Sequence, residues 1–375
     1  MIYFDNAATG GKKPDNVLNA VASAIKVCAN PGRSGHKLAL SCANIVETTR
    51  KSLVSFFDAY DYERVIFTKN CTEALNMAIF GTLKAGDHVI ATCMEHNSIL
   101  RPLEFLQKNG LISYDICPLN ESYNITPETV KSLLRPNTKL VCITTASNVT
   151  GSCPPIASIK QILPDNVLLL CDGAQGGGHL PISMQKLGID LLTFAGHKGL
   201  FAIQGSGGLL FSNRVELTPF MYGGTGSMSI SLDMPDFYPD GLEAGTLSFP
   251  AIFSLLEGLN YTKEHSKKIQ AKTYNLTKYC LERMNVFKNY KVFSPPNYCG
   301  IVAFLHKNFS SQYIAERLST QYDIAVRGGL HCAPLMHQAL GTFPDGLVRV
   351  SFSHFNTLGE IDKLIFALQG IEHND

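Results

Sequence analysis

Residues 190–199 read DLLTFAGHKG, an apolar run that suits a buried strand, ending in glycine, histidine and lysine. Working outward, the same pattern recurs. Upstream lie NVLLLCD (166–172), KLVCITT (139–145), HVIATC (88–93) and RVIFT (64–68); downstream lies GGLLFS (207–212). Runs of this length, apolar on both faces, predict a mostly parallel sheet covered by helices, an α/β class. Amphipathic stretches from Thr72 to about Gly81 and from Ser98 to Gln107 predict intervening helices. Polar residues collect just past the strand ends, at Asn70, at 95–97, at Ser147 and Asn148, at Asp172, and at His197 and Lys198. Ligands of open α/β sheets bind along that carboxyl edge.

The pattern changes after residue 248. Residues 248–284 predict one long helix or two consecutive ones. A smaller series follows: GIVAFL (300–305), a helix near 310–320, DIAV (323–326), VRVSFS (348–353) and a closing helix over 358–368. This predicts a large domain over 14–250 and a smaller α+β domain from 1–13 plus 251–375. There is no internal repeat, low-complexity tract or charged tail.

Composition narrows the function classes. The 375 residues carry 32 Lys+Arg against 31 Asp+Glu, a net charge of +1, so no electrostatic footprint for nucleic acid or an anionic membrane is visible. No apolar run reaches the roughly 18–20 residues a membrane span needs. The start, MIYFDNAATGG, lacks the basic-then-apolar layout of a secretory signal, and a cytoplasmic location is expected. The eleven cysteines are odd in number and contain no C-x-x-C pair, which predicts neither a disulfide framework nor a zinc site. Cys142 and Cys171 lie in strand runs and read as small hydrophobes. Cys332 differs: it stands in RGGLHCAPL (327–335), between His331 and Ala-Pro and near Arg327.

Lys198 is the sharpest clue. A lysine drawn out of water loses preference for its charged form, and its neutral amine can condense with an aldehyde. The alternative is a solvated lysine at a strand end. Asp172 ends the strand NVLLLCD, where a carboxylate is costly without a cation. A protonated pyridine nitrogen would supply one, as in pyridoxal-phosphate enzymes; the alternative is a cap on the DGAQGG turn. The glycines 176–178 do not form G-x-G-x-x-G and so predict no dinucleotide loop. A phosphate would suit the helix opening near Thr72, whose first turn offers free N–H groups and a hydroxyl, although Thr72 also reads as an ordinary N-cap.

Asp172 with Gln175, then GHK at 196–198, then R-x-G-x-x-C at 327–332 and Arg349 in VRVSF together resemble the cysteine desulfurases and selenocysteine lyases of the class V aminotransferase family, in their SufS-like branch. The resemblance runs from YFDNAAT (3–9) to the final helix. It implies the fold type I architecture of pyridoxal-phosphate-dependent transferases. It further implies that Lys198 joins the cofactor, Asp172 pairs with the ring nitrogen and Gln175 meets the phenolic oxygen. His96, in MEHNS, would stack on the ring and act beside Lys198 and Cys332 in catalysis. Asn148 would lie beside ring and substrate. Cys71, Thr72 and His197 would hold the phosphate, joined by Thr246 from a second subunit of a homodimer. Arg349, with Arg327, would bind the substrate carboxylate, and Cys332 would accept sulfur. Cys71 and Ala195 replace hydroxyl residues common in relatives, and Leu330 replaces a histidine.

The implied reaction converts L-cysteine to L-alanine, leaving a persulfide on Cys332 for an unidentified sulfur-acceptor protein. The alternatives are a selenocysteine lyase acting on L-selenocysteine, a class V aminotransferase-fold enzyme that ignores Cys332, and a silent subunit that binds a sulfur carrier.

Overall fold

The computed structural model of the chain describes residues 1–27, 29–32 and 34–374, so Cys28 lies outside the described residues. In chain order, β1 (Ile2–Tyr3) precedes two helices, α1 (Asp15–Val27) and α2 (Lys37–Phe57). An alternating series follows: β2 (Val65–Thr68), α3 (Cys71–Thr82), β3 (His88–Thr92), α4 (Asn97–Lys108), β4 (Ser113–Cys117), α5 (Pro127–Ser132) and β5 (Thr138–Thr144). It continues through α6 (Ile156–Ile162), β6 (Leu168–Asp172), α7 (Met184–Leu187), β7 (Leu191–Ala195) and β8 (Gly207–Phe211). The remainder comprises α8 (Phe249–Met284), β9 (Tyr290–Val292), β10 (Ile301–His306), α9 (Ser311–Tyr322), β11 (Ile324–Ala325), β12 (Arg327–Gly329), α10 (Pro334–Ala339), β13 (Leu347–Ser351) and α11 (Leu358–Asn374). No helix among the described residues is long and apolar enough to cross a membrane.

Seven strands form the main sheet in the order β2-β8-β7-β6-β5-β3-β4. The five from β7 to β4 are mutually parallel, as expected of runs buried on both faces. β8 departs from the expected series: it pairs antiparallel with both β7 and β2. Alternate residues feed two cores, one built around Ile90, Val141, Leu169, Cys171 and Phe194, the other around Val89, Leu140, Cys142, Leu170 and Leu191. β4 escaped the sequence reading because its SYDIC segment is a half-exposed edge paired only with β3, where polar residues are tolerated.

The strand order reverses between β3 and β5. β3 leads through α4 outward to β4, while β5 leads through α6 to β6 on the other side. The residues just past these two strands, His96 and Asn148, therefore flank the crevice where such sheets bind ligands. Glu95 ties the two ends together: its Oε1 accepts the Thr92 hydroxyl at 2.6 Å and the Thr144 amide at 3.0 Å.

A four-stranded antiparallel sheet, β12-β13-β10-β9, packs a third core against α8, α9 and α11. The long segment after 248 is one unbroken 36-residue helix. β1 pairs in parallel with β11, which lies 322 residues away in register at Ile2 and Ile324.

Candidate active site

Lys198 and Asp172 reach the same place because β6 and β7 are parallel neighbours, with Asp172 opposite Thr193. One residue past β7, the chain turns at Gly196, where a Cβ would lie 2.3 Å from the Ser206 hydroxyl. The glycines at 176–178 serve close packing: Gly178 takes φ +88°, and a Cβ there would lie 2.2 Å from the Gly199 carbonyl. These contacts seat the 197–199 turn beside Gln175. The resulting cavity is lined by Lys198, Asp172, Gln175, His96, Asn148 and His197, and by Cys71 and Thr72. Lys198 and Asp172 both line it without pairing to each other.

Burial lowers the Lys198 ammonium below its ordinary value, with Asp172 and Cys71 opposing that shift. Asp172 is 4% exposed. Its Oδ1 accepts the Ala174 amide at 2.8 Å and meets the Cys71 thiol at 3.4 Å. Cys71 Sγ also lies 3.3 Å from the Thr193 hydroxyl. Burial, reinforced by Asp172, pushes that thiol well above its usual range, so it remains a neutral donor. Cys71 thus bears on the carboxylate through its side chain, and only its backbone remains for an anion.

The expected helix start also shifts. α3 begins at Cys71, and its N-cap is Asn70, whose side chain accepts the Glu73 amide at 2.9 Å. Thr72 is therefore inside the first turn, and the amides of Cys71 and Thr72 have no intrahelical acceptor. The Thr72 hydroxyl lies 2.8 Å from Ser98 Oγ, which lies 2.8 Å from His96 Nδ1. His96 caps α4 by accepting the Ser98 amide on Nδ1. Burial drives its pKa down to about 4, as it does for His197, so both rings are neutral near pH 7.

Cys332 stands at the mouth. Residues 327–329 form strand β12. Gly328 lets this strand close on α9, where a Cβ would meet the Ser311 carbonyl at 2.5 Å. The bend comes later, at His331 and Cys332, with φ of 51° and 56°. Both carbonyls of this left-handed pair are held from the switch point. Asn148 Nδ2 donates to His331 at 2.7 Å, and the Asn97 amide donates to Cys332 at 2.7 Å. Cys332 opens onto a groove that shares Thr72, His96 and Ser98 with the cavity. Arg327 Nη2 lies 4.0 Å from its sulfur. His331 is buried beside it, with Nε2 3.2 Å from the Arg327 carbonyl and Nδ1 unpartnered.

The chain belongs to the aminotransferase class-V family. The model of that family matches residues 2–364. A probable cysteine desulfurase of Borreliella burgdorferi is 30% identical over 388 residues, covering 99% of this chain and 92% of that protein. Among solved structures, the apo cysteine desulfurase of Thermococcus onnurineus NA1 superposes with a TM-score of 0.91 at 28% identity, covering 99% of this chain and 94% of that one. A cysteine desulfurase of Escherichia coli gives 0.89 at 25% identity, covering 98% and 94%.

Within this class-V chain, besides Cys332 at the mouth, three expected site residues, Thr246, Arg349 and Arg327, do not line the cavity. Thr246 lines a separate cavity with Lys69, Glu73 and Gly207. Arg349, 1% exposed, already donates to Asp5 at 2.9 Å and to the Asn148 carbonyl at 2.9 Å, leaving Nε without a partner. It lies directly across the ladder from Arg327. Sequence reasoning missed four contributors: Ser98, Asp5, Thr9, whose hydroxyl meets His197 Nδ1 at 3.0 Å, and Lys13, whose ammonium meets the His197 carbonyl at 3.1 Å. The YFDNAAT motif was the available signal for Asp5 and Thr9, but nothing local ties it to residues about 190 and 340 positions away.

Proposed function

We propose that the protein is a pyridoxal-phosphate-dependent cysteine desulfurase that moves the sulfur of L-cysteine onto Cys332 and releases L-alanine. The observation that carries this reading is a cavity holding Lys198 and Asp172 at neighbouring strand ends, with Cys332 pinned at its mouth.

The donor set fits the cofactor. Asp172 Oδ2 has no hydrogen-bond donor among the described residues, which suits a cationic ring nitrogen. The free amides of Cys71 and Thr72, with the Thr72 hydroxyl, suit a phosphate at a helix N-terminus. Neutral His96 offers an uncharged ring for stacking, Gln175 a polar contact beside it, and His197 a further phosphate neighbour. Bound there, pyridoxal phosphate supplies an aldehyde for the amine and an electron sink for charge at the substrate Cα.

The chain's own groups perform the rest. Lys198 Nζ, its pKa lowered by burial, would hold the aldehyde carbon and is the group placed to take the substrate Cα proton. Arg349, whose Nε is left unpartnered beside its pair with Asp5, and Arg327 across the strand attract the substrate carboxylate. Asn148 orients both the substrate and the Cys332 loop. The Cys332 thiolate attacks the substrate sulfur. An S–S bond forms, the C–S bond breaks with its electron pair left on carbon, and protonation yields alanine. The sum is cysteine plus enzyme thiol giving alanine plus enzyme persulfide. A sulfur-acceptor protein would then approach along the open groove beside Phe105 and Arg101. A homodimer, with Thr246 of one subunit completing the phosphate site of the other, and a cytoplasmic setting belong to the same proposal.

The test is incubation of the reconstituted protein with L-cysteine, quantifying alanine, sulfide and Cys332 persulfide by intact mass. Cys332→Ser should keep the yellow colour and lose the persulfide; Lys198→Ala should lose both. Sulfide release at the parent rate from Cys332→Ser would remove Cys332 from the reaction.

A further inference from the structure

The loop that carries Asn148 continues through Gly151 to Cys153 and lies against the loop 295–301 that carries Cys299. Gly151 takes φ +75°, and a Cβ there would lie 2.6 Å from the Asn297 side chain. Asn297 is itself buried and fixed, donating to the carbonyls of Pro295 and Ile301 at 2.9 and 2.7 Å. The close approach of the two loops is therefore built in. Two thiols meet across it. Cys153 is exposed, and Cys299 is 4% exposed. The Cys299 S–H has two acceptors in reach, the Cys153 sulfur and, at 3.7 Å, the carbonyl of Gln175. The hydrogen bond from Cys299 holds the Cys153 thiol below its ordinary value and raises Cys299 well above its own. The buried cysteines Cys93, Cys117, Cys142, Cys171 and Cys280 are all pushed the other way by burial. An accessible, activated thiol beside a protected second thiol is the arrangement that favours reversible oxidation.

We propose that Cys153 and Cys299 form a modification site, a dithiol that hydroperoxides convert to an intramolecular disulfide. The Cys153 thiolate attacks one peroxide oxygen, the O–O bond breaks, and the other oxygen leaves as hydroxide and is protonated to water. Cys153 is then a sulfenic acid. The Cys299 sulfur displaces its hydroxyl group, the S–O bond breaks, the S–S bond forms and a second water leaves. Two thiols are oxidised by two electrons and one hydrogen peroxide is reduced to two waters. The cross-link would tie the Asn148 loop to the approach of β10 and take the S–H away from the Gln175 carbonyl. The proposal is independent of the desulfurase reading, because it needs neither cofactor nor substrate.

The test uses the purified full chain treated with hydrogen peroxide, quenched by alkylation under denaturing conditions and mapped without reduction. A peptide joining Cys153 to Cys299 should appear, the intact chain should lose the mass of two hydrogens, and dithiothreitol should reverse both. Cys299→Ser should give no cross-link, with Cys153 instead gaining oxygen. A second measurement needs no variant that depends on refolding: iodoacetamide should alkylate Cys153 several-fold faster in the native chain than in urea. Cys299→Ala should slow that reaction more than Cys299→Ser, which keeps a donor. Absence of the 153–299 peptide while other cysteines oxidise would overturn the proposal, as would native Cys153 reacting no faster than in urea.

Discussion

Asp172 Oδ1 is occupied by the Ala174 amide and approached by the Cys71 thiol, so the oxygen left for a cofactor is Oδ2. A thiol that burial keeps protonated is a weak donor, yet it keeps the carboxylate turned one way. Cys71→Ala should weaken pyridoxal phosphate binding to the apo protein by about 1 kcal/mol, roughly fivefold, read by fluorescence titration. Cys71→Ser should restore it, because a hydroxyl replaces the S–H. Equal affinity for both variants would show that the contact orients nothing. Lys198 and Asp172 were legible in the sequence because each ends a buried run. The aim of Cys71 was not, since 101 residues separate it from Asp172 and only the packing of α3 against β6 and β7 brings them together.

At the scale of one element, the segment 330–333 concentrates strain. His331 and Cys332 are adjacent non-glycine residues with left-handed backbone, a conformation that costs about 1–2 kcal/mol per residue. Hydrogen bonds from Asn148 and the N-terminal turn of α4 hold it in place. Such strain is stored where a side chain must be aimed. Urea midpoints should therefore fall in the order Cys332→Gly at or above the parent chain and Cys332→Val below it, by about 1 kcal/mol or more, because β-branched residues fit this region worst. Midpoints that do not separate would mean that the turn carries no strain. Two glycines before Cys332 are a pattern that also suits a bend. Gly328 and Gly329 are instead spent on packing β12 against α9 and β13, which sequence spacing cannot distinguish from a turn.

Across the whole molecule, two sets of groups act in opposite directions on stability. Burial lowers His96, His179, His197, His337 and His354 to about 4, and His331 to about 2. Unfolded histidine takes its proton near 6.5. Between about 4 and 6.5 the unfolded chain thus holds more protons, and stability falls as pH drops through that window. Glu95 runs the other way. Its pKa is raised to about 8 by burial, and its Oε2 has no partner, so the folded chain holds the extra proton from about 4.5 to 8 and stability falls as pH rises toward 8. Below 6.5 the six histidines outweigh the single carboxyl. Thermal midpoints of the apo protein should peak near neutrality, with a steep acid limb and a shallower alkaline one. Glu95→Gln should flatten the limb between about pH 6.5 and 8 and steepen the acid limb above about pH 4.5, where the carboxyl no longer opposes the histidines. An unaltered alkaline limb would mean that Glu95 does not titrate there.

The sequence alone determined the parallel sheet, the polar carboxyl edge and the lysine–aspartate pair, because strand periodicity and burial on both faces are local properties that any window of the chain displays. Only the tertiary structure decided how that edge becomes a site. The reversal of strand order puts His96 and Asn148 at one crevice, the N-terminal segment reaches back to pair Asp5 with Arg349 and Thr9 with His197, and the α4 terminus clamps the Cys332 loop. Each of these contacts joins residues separated by roughly 190 to 340 positions. It exists because packing the small antiparallel sheet beside the large parallel one buries the groups between them, and no local pattern records which groups those are.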